Sequence, residues 1–164
     1  MFNTIDLETY YDESVGFSNQ TNEEYIRDPS FEVLIIGLRT SAGQYIAHEA
    51  CDFTSAQNLE FLLDHKVTSL PLLGQNMRFD ASVLNWIYGV RSPLLLDTML
   101  MARAAIRHRT GSTSLAVIAP YLDVGTKGKE VLDAKGKRRQ QFTEEEFDLS
   151  PTLLCELGLE AALR

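Results

Sequence analysis

Asp6 and Glu8 stand two residues apart in the run NTIDLETYYDE at residues 3–13. Side chains of a strand alternate between its faces, so these two carboxylates share one face while Ile5 and Leu7 point to the other. Like charges held side by side are unfavourable unless water, hydrogen bonds or a cation compensates. The pair therefore marks either a solvated strand end or a metal site. A second polar cluster, GQNMRFDA at residues 74–81, puts Asn76 and Asp80 at a strand-to-helix transition, where backbone turns let side chains converge on the end of a sheet. Taken alone, Asp80 is a helix N-terminal acid favoured by the macrodipole. Taken with Asp6 and Glu8, it enlarges the acidic cluster.

The elements that must position these residues follow from periodicity and turn residues. A first strand covers about residues 2–8, and residues 11–31 are polar and irregular. FEVLIIGLRT and QYIAHEA are β-rich runs joined by SAG, a hairpin pattern that makes three strands by residue 50. In TSAQNLEFLLDHK, Thr54 or Ser55 can cap a helix on which Leu59, Leu62 and Leu63 recur at helical spacing. SLPLLGQN reads as a short apolar strand ending in Gly74. FDASVLNWIYG follows as a helix with Phe79, Val83, Trp86 and Ile87 on one stripe, closed by Gly89. PLLLDT is a further buried strand, with Asp97 capping the helix MLMARAAIRHR. SLAVIAPYLDVG is a short helix stopped by Gly125, with Pro120 as a disruption inside it. Residues 125–141 read as an exposed loop, TEEEF as a helix N-terminus, and SPTLLCELGLEAALR as a last helix restarted at Ser150 and Pro151. An antiparallel meander followed by helix-separated strands implies a mixed α/β sheet in one domain spanning residues 1–164.

The whole chain sets the outer bounds. Its 164 residues suit one domain with a real core, and 45% hydrophobic content argues against disorder. No apolar run approaches the roughly 20 residues of a membrane span, so no membrane partner is expected. MFNTIDLET has neither a basic n-region nor a signal-type apolar core, which makes an intracellular, cytoplasmic location the expectation. Cys51 and Cys155 show no ligand spacing and read as small buried side chains. The net charge of −8 weighs against a general nucleic-acid coat, yet the cations are clustered. Three arginines and His108 fall between Arg103 and Arg109, and KGKEVLDAKGKRR at residues 127–139 carries six of the fifteen Lys and Arg. Such footprints suit either a solvated loop that balances acidic neighbours or a phosphate backbone, for which Lys127 and Lys129 are the candidate contacts.

IDLETYYDE with its DxE, NEEYIRDPSFEVLIIGL, GQNMRFDASVL with its NxxFD, and LDTMLMARA occur in that order. Together they resemble the DEDD-type 3′-to-5′ exonuclease superfamily, most closely the N-terminal proofreading exonuclease domain of phage DNA polymerases. The resemblance covers roughly residues 4–147. It implies an RNase H-like mixed sheet flanked by helices, and phosphodiester hydrolysis by two Mg²⁺ or Mn²⁺ ions about 4 Å apart in a cage of hard oxygen ligands. On that likeness Asp6 bridges both ions, Glu8 holds the ion that binds the attacking water, and Asp80 holds the ion that stabilises the leaving 3′-oxygen. Groups near Thr9 and Asn76 position the terminal nucleotide, while Phe79 belongs to the core stripe. The implied partners are single-stranded DNA 3′ ends and a DNA polymerase domain, in a bacterium or a phage-infected host.

The chain departs from the family at the last motif, a Tyr-x-x-x-Asp or His-x-x-x-Asp on the final helix. FDLSPTLLCELGLEAALR sets Leu154 and Gly158 at those positions. Asp148, Glu156 and Glu160 are the available acids; Glu156 is the preferred fourth carboxylate, against the reading of all three as surface acids. Without a complete cage and an oriented water, a loss of orders of magnitude in rate is expected. Two readings follow: a metal-dependent exonuclease, or the same fold with a weakened site that binds DNA or a polymerase partner. His48, His65 and His108 lack ligand spacing and read as structural or solvated.

Overall fold

A computed structural model describes residues 1–123, apart from Phe17, together with Gly136; the side chain of Cys51 also lies outside the description. β1 (Asn3–Thr9) is the middle strand of a five-stranded sheet. β2 (Val33–Arg39) pairs antiparallel with β1, and β3 (Tyr45–His48) pairs antiparallel with β2. On the other side, β4 (Leu72–Gly74) pairs parallel with β1, and β5 (Leu95–Asp97) pairs parallel with β4. The sheet order is β3-β2-β1-β4-β5, the mixed sheet that the meander and the helix-separated strands imply. β2 is buried from Val33 to Leu38, as a central strand covered on both faces must be.

The helices depart from the sequence pattern at several boundaries. α1 (Asn22–Ile26) lies inside the stretch read as irregular. Its signal is the capping box Thr21-x-x-Glu24, in which each side chain satisfies the other residue's backbone N–H. α2 (Ser55–Asp64) starts on Thr54, capped in the same way with Gln57. α3 (Met77–Tyr88) ends on Gly89 in the left-handed conformation. Its buried arc holds Met77, Phe79, Asp80, Val83, Leu84 and Tyr88, so two members of the expected stripe are out of place. Trp86 and Ile87 are 43% and 38% exposed. At 100° per residue Trp86 falls on the edge of that arc, where the Arg27 guanidinium covers its ring at 5.6 Å.

The single helix expected after Asp97 is two: α4 (Thr98–Ala105) and α5 (Arg107–Thr110). The break is at Ile106, whose φ of −132° leaves the helical region. This β-branched residue is among the weaker helix formers of its run. α6 (Leu115–Tyr121) contains Pro120 one residue before its end, so the proline terminates the helix rather than kinking it, and the helix stops short of Gly125. Ile5, Ile36, Leu38, Leu62, Leu72 and Val83 are fully buried and anchor the core between the sheet and α2 and α3. No helix among the described residues is long and apolar enough to cross a membrane.

Candidate active site

β4 pairs with β1 only at Asn3 and Thr4 and stops at Gly74, so the same edge of β1 further along has no strand beside it. Backbone polar groups there must find another partner. α3 supplies it: the Leu7 N–H donates to Asp80 Oδ1 at 3.1 Å in a buried bond that links positions 73 residues apart. Gly74 makes the close approach possible, since a Cβ at that position would lie 2.9 Å from the Ile5 carbonyl oxygen and 2.7 Å from Met77 Sδ. Alternation puts Ile5 and Leu7 into the core, whereas Asp6 and Glu8 are only half-buried. The β1–β2 register shifts between Glu8 and Thr9, a bulge at the strand end that carries these acids.

Asp6, Glu8, Thr9, Asn76 and Asp80, all singled out in the sequence, line one cavity of about 330 Å³. Asp80 is 3% exposed, and burial, then the charge of Asp6 and more weakly that of Glu8, holds its carboxyl well above the usual carboxylate range. The N–H groups of Leu7 and of Asp80 itself oppose that shift without overcoming it. The donor chemistry is that of a hard divalent cation: three carboxylates from two elements, one of them desolvated beside the others' negative charge. Among the described residues, no group of three or more His, Cys, Asp or Glu side chains is gathered closely enough to hold an ion. The three acids share the cavity without closing into a cage.

Asn76 takes the left-handed conformation, φ 60° and ψ 46°, which asparagine tolerates better than other non-glycine residues. It makes no side-chain cap to α3. That role falls to Asp97, which accepts from the N–H groups of Asn76 at 3.2 Å and Met77 at 3.1 Å. Asp97 also caps α4 as the sequence implied, accepting from Met99 and Leu100. One carboxylate thus starts two helices and leaves the Asn76 side chain at the cavity lip.

Thr9 is held from below. The Tyr25 hydroxyl donates to the Tyr10 carbonyl, so at its 2.8 Å contact with Thr9 the threonine hydroxyl is the donor. Burial above all pushes the Tyr25 phenol up, which keeps that proton in place. Its ring stacks on Phe79 at 5.8 Å and meets Phe31 edge-on at 5.2 Å. Phe79 is buried in the core cluster, as its helical position implied, and its edge also reaches the cavity.

Sequence reasoning passed over Tyr11, Asp12 and Gln75, which share the lining with Gly16, Ser18 and Tyr25. Asp12 is the fourth acid of the cavity, but its oxygens accept from the Tyr10 hydroxyl and from the Ser14 and Val15 N–H groups. Those bonds depress its pKa and make it the organiser of the loop after β1. The spacing Asp12-x-Ser14 was the available signal for that turn. Glu156, Lys127 and Lys129, with Asp148, Cys155 and Glu160, lie outside the described residues, as do the expected loop and final helix beyond residue 123.

No family model and no curated protein sequence matches the chain. Its fold does have solved counterparts, nucleases among them. A nuclease in its apo form superposes with a TM-score of 0.67 at 14% identity, over 98% of this chain and 70% of that one. Brucella melitensis NrnC with bound Mg²⁺ gives 0.65 at 15% identity, over 98% and 71%. Trypanosoma brucei RNase D in complex with RNA U12 gives 0.71 at 12% identity, over 98% and 55%. The chain has the RNase H-like α/β fold of these nucleases.

Proposed function

We propose that the protein is a metal-dependent exonuclease that removes nucleotides from the 3′ end of single-stranded nucleic acid. One observation carries the reading: the Asp6, Glu8 and Asp80 carboxylates, drawn from β1 and α3, line a single cavity where β1 runs past β4. Asp6, Glu8 and Asp80 would hold the divalent cations. When bound, these ions supply Lewis-acid polarisation of the phosphodiester and a water nucleophile active at neutral pH. The chain's own groups do the positioning: Asn76 offers its amide to the terminal nucleotide, and Tyr11 and Phe79 give its base or sugar an apolar wall.

The order of DxE and NxxFD supports a 3′-to-5′ DNA exonuclease of the proofreading kind, working beside a polymerase. The neighbouring structures of Brucella melitensis NrnC bound to pGG and of RNase D with RNA U12 support short RNA as the substrate instead. Single-stranded DNA and RNA of equal sequence, labelled at the 5′ end and incubated with Mn²⁺, discriminate the two. A ladder shortening from the 3′ end is expected for the true substrate, and internal cuts or no shortening of either would refute the proposal. A second reading, a binding module without turnover, is favoured by the failure of the three acids to close into a cage among the described residues. It predicts salt-sensitive binding of the same oligonucleotides with no Mn²⁺-dependent products.

A further inference from the structure

Residues 98–122 hold Arg103, Arg107 and Arg109 but not one Asp or Glu, in a chain whose net charge is −8. The three arginines and His108 are exposed on α4 and α5. Of the other described arginines, Arg27 pairs with Glu23 at 3.0 Å, Arg91 Nε donates to Asn85 at 2.7 Å and Arg39 lies over the Tyr45 ring, while Arg78 is exposed on α3. Among the described residues Arg103, Arg107 and Arg109 form no ion pair, and Arg109 Nε donates to His108 Nε2 at 3.2 Å. Guanidinium groups gathered on one short stretch create a local positive potential that the acidic remainder of the protein does not cancel at contact range.

The position of this stretch is fixed at both ends against the cavity. At its start, the Thr98 hydroxyl bonds Gln75 and the Gly74 carbonyl, directly beneath the lip. At its return, the Gln75 amide Nε2 donates to the Thr113 carbonyl at 3.3 Å, and Gln75 itself lines the cavity. Gly111, left-handed at φ 71°, ends α5 and turns the chain back to make that contact. Arg109 precedes Thr113 by four residues, which caps its Cα distance from Thr113 at about 14 Å even for an extended chain.

We infer that Arg103, Arg107 and Arg109 form a phosphate track that grips the body of a single-stranded nucleic acid whose 3′ end enters the carboxylate cavity. The inference rests on the proposed function and adds how an acidic protein retains a polyanion. The carboxylate cavity repels phosphate, and the guanidinium groups of α4 and α5 supply the compensating attraction. The track serves long strands and is out of reach of a substrate that fills only the cavity.

The test compares protein carrying Arg103→Gln, Arg107→Gln and Arg109→Gln with protein in which all three arginines are retained. Binding is measured in an Asp6→Asn background that spares the probe, by fluorescence anisotropy of 5′-labelled twelve-nucleotide DNA and RNA strands across a salt series. Mn²⁺-dependent release from a dinucleotide is measured with Asp6 intact. The expected result is a plot of log Kd against log salt flatter by about 2, at roughly 0.7 for each single-strand phosphate deprived of its guanidinium. Dinucleotide release should be unchanged. An unchanged slope alongside normal dinucleotide release overturns the track and leaves the exonuclease reading standing. Loss of dinucleotide release in the triple variant, with its melting temperature intact, also overturns the track, because the arginines would then act in the cavity. Absence of Mn²⁺-dependent release from the dinucleotide and from the twelve-nucleotide strands alike, by protein with Asp6 and all three arginines, refutes the proposed function itself.

Discussion

Replacing Asp80 with asparagine is expected to stabilise the metal-free protein while disabling it. The carboxyl is 3% exposed, and burial and the charges of Asp6 and Glu8 disfavour its ionised form. Asparagine has the same shape, can still accept the Leu7 N–H, and turns an amide N–H toward the neighbouring carboxylates. Removing a poorly compensated buried charge in this way is worth about 1–3 kcal/mol. For a chain of 164 residues each kcal/mol moves Tm by about 2–4 °C, which gives a rise of about 2–12 °C in EDTA at pH 7–8. The pH dependence follows from the raised pKa. The folded protein keeps the Asp80 proton over a range where the unfolded chain has lost it. Stability attributable to this group is therefore intact below the ordinary aspartate range near pH 4 and is lost as pH rises through the folded-state value. The gap between variant and parent should close on acidification. Mn²⁺ should stabilise the parent by about 2.7 kcal/mol at a hundredfold excess over Kd, raising its Tm, and leave the variant's Tm nearly unmoved. Differential scanning fluorimetry across pH, with Mn²⁺ or EDTA, reads all of this. A variant that melts below its parent in EDTA at neutral pH would refute the reasoning.

Three further changes probe the scaffold. Gly74→Ala forces a Cβ to within 2.9 Å of the Ile5 carbonyl and should cost about 1–3 kcal/mol in urea unfolding, since the rigid backbone of β1 must shift. Asp97→Ala strips four backbone N–H groups at the starts of α3 and α4 of their acceptor; about 2–3 kcal/mol of lost stability is expected, with a raised KM for oligonucleotide as Asn76 loses its fixed conformation. Tyr25→Phe keeps the stack on Phe79 but removes the hydroxyl that donates to the Tyr10 carbonyl, so a loss of about 1–3 kcal/mol in thermal stability should appear with the aromatic circular dichroism preserved.

The parts of the molecule legible in the sequence are those with local signals. Alternation exposed Asp6 and Glu8 on one face of β1, the SAG turn marked the β2–β3 hairpin, and Gly74 and Gly89 bracketed the unit that carries Asp80. α1 was also written locally, in Thr21 and Glu24, but its five residues bury only Tyr25 and Ile26 and give no apolar period to detect. What sequence could not disclose depends on contacts between distant segments. Asp97 looked like the cap of one helix because its second client, the start of α3, precedes it by some twenty residues. Tyr25 reaches the site from below only because α1 packs against α3, and Gln75 meets Thr113 only because α5 ends at Gly111. The convergence of Asp80 with β1 was inferred from residue order; the reason for it is the short β4, which leaves the Leu7 N–H for a side chain to claim.

The central claim is that the three-carboxylate cavity hydrolyses nucleic acid from the 3′ end with divalent metal. Mononucleotide release from a 3′-labelled single strand, measured with Mn²⁺ and with EDTA beside the Asp6→Ala variant, tests it most directly. Release that requires both the metal and Asp6 is the predicted result. Release that persists in EDTA or in the variant, or a folded parent protein that releases nothing, would contradict it.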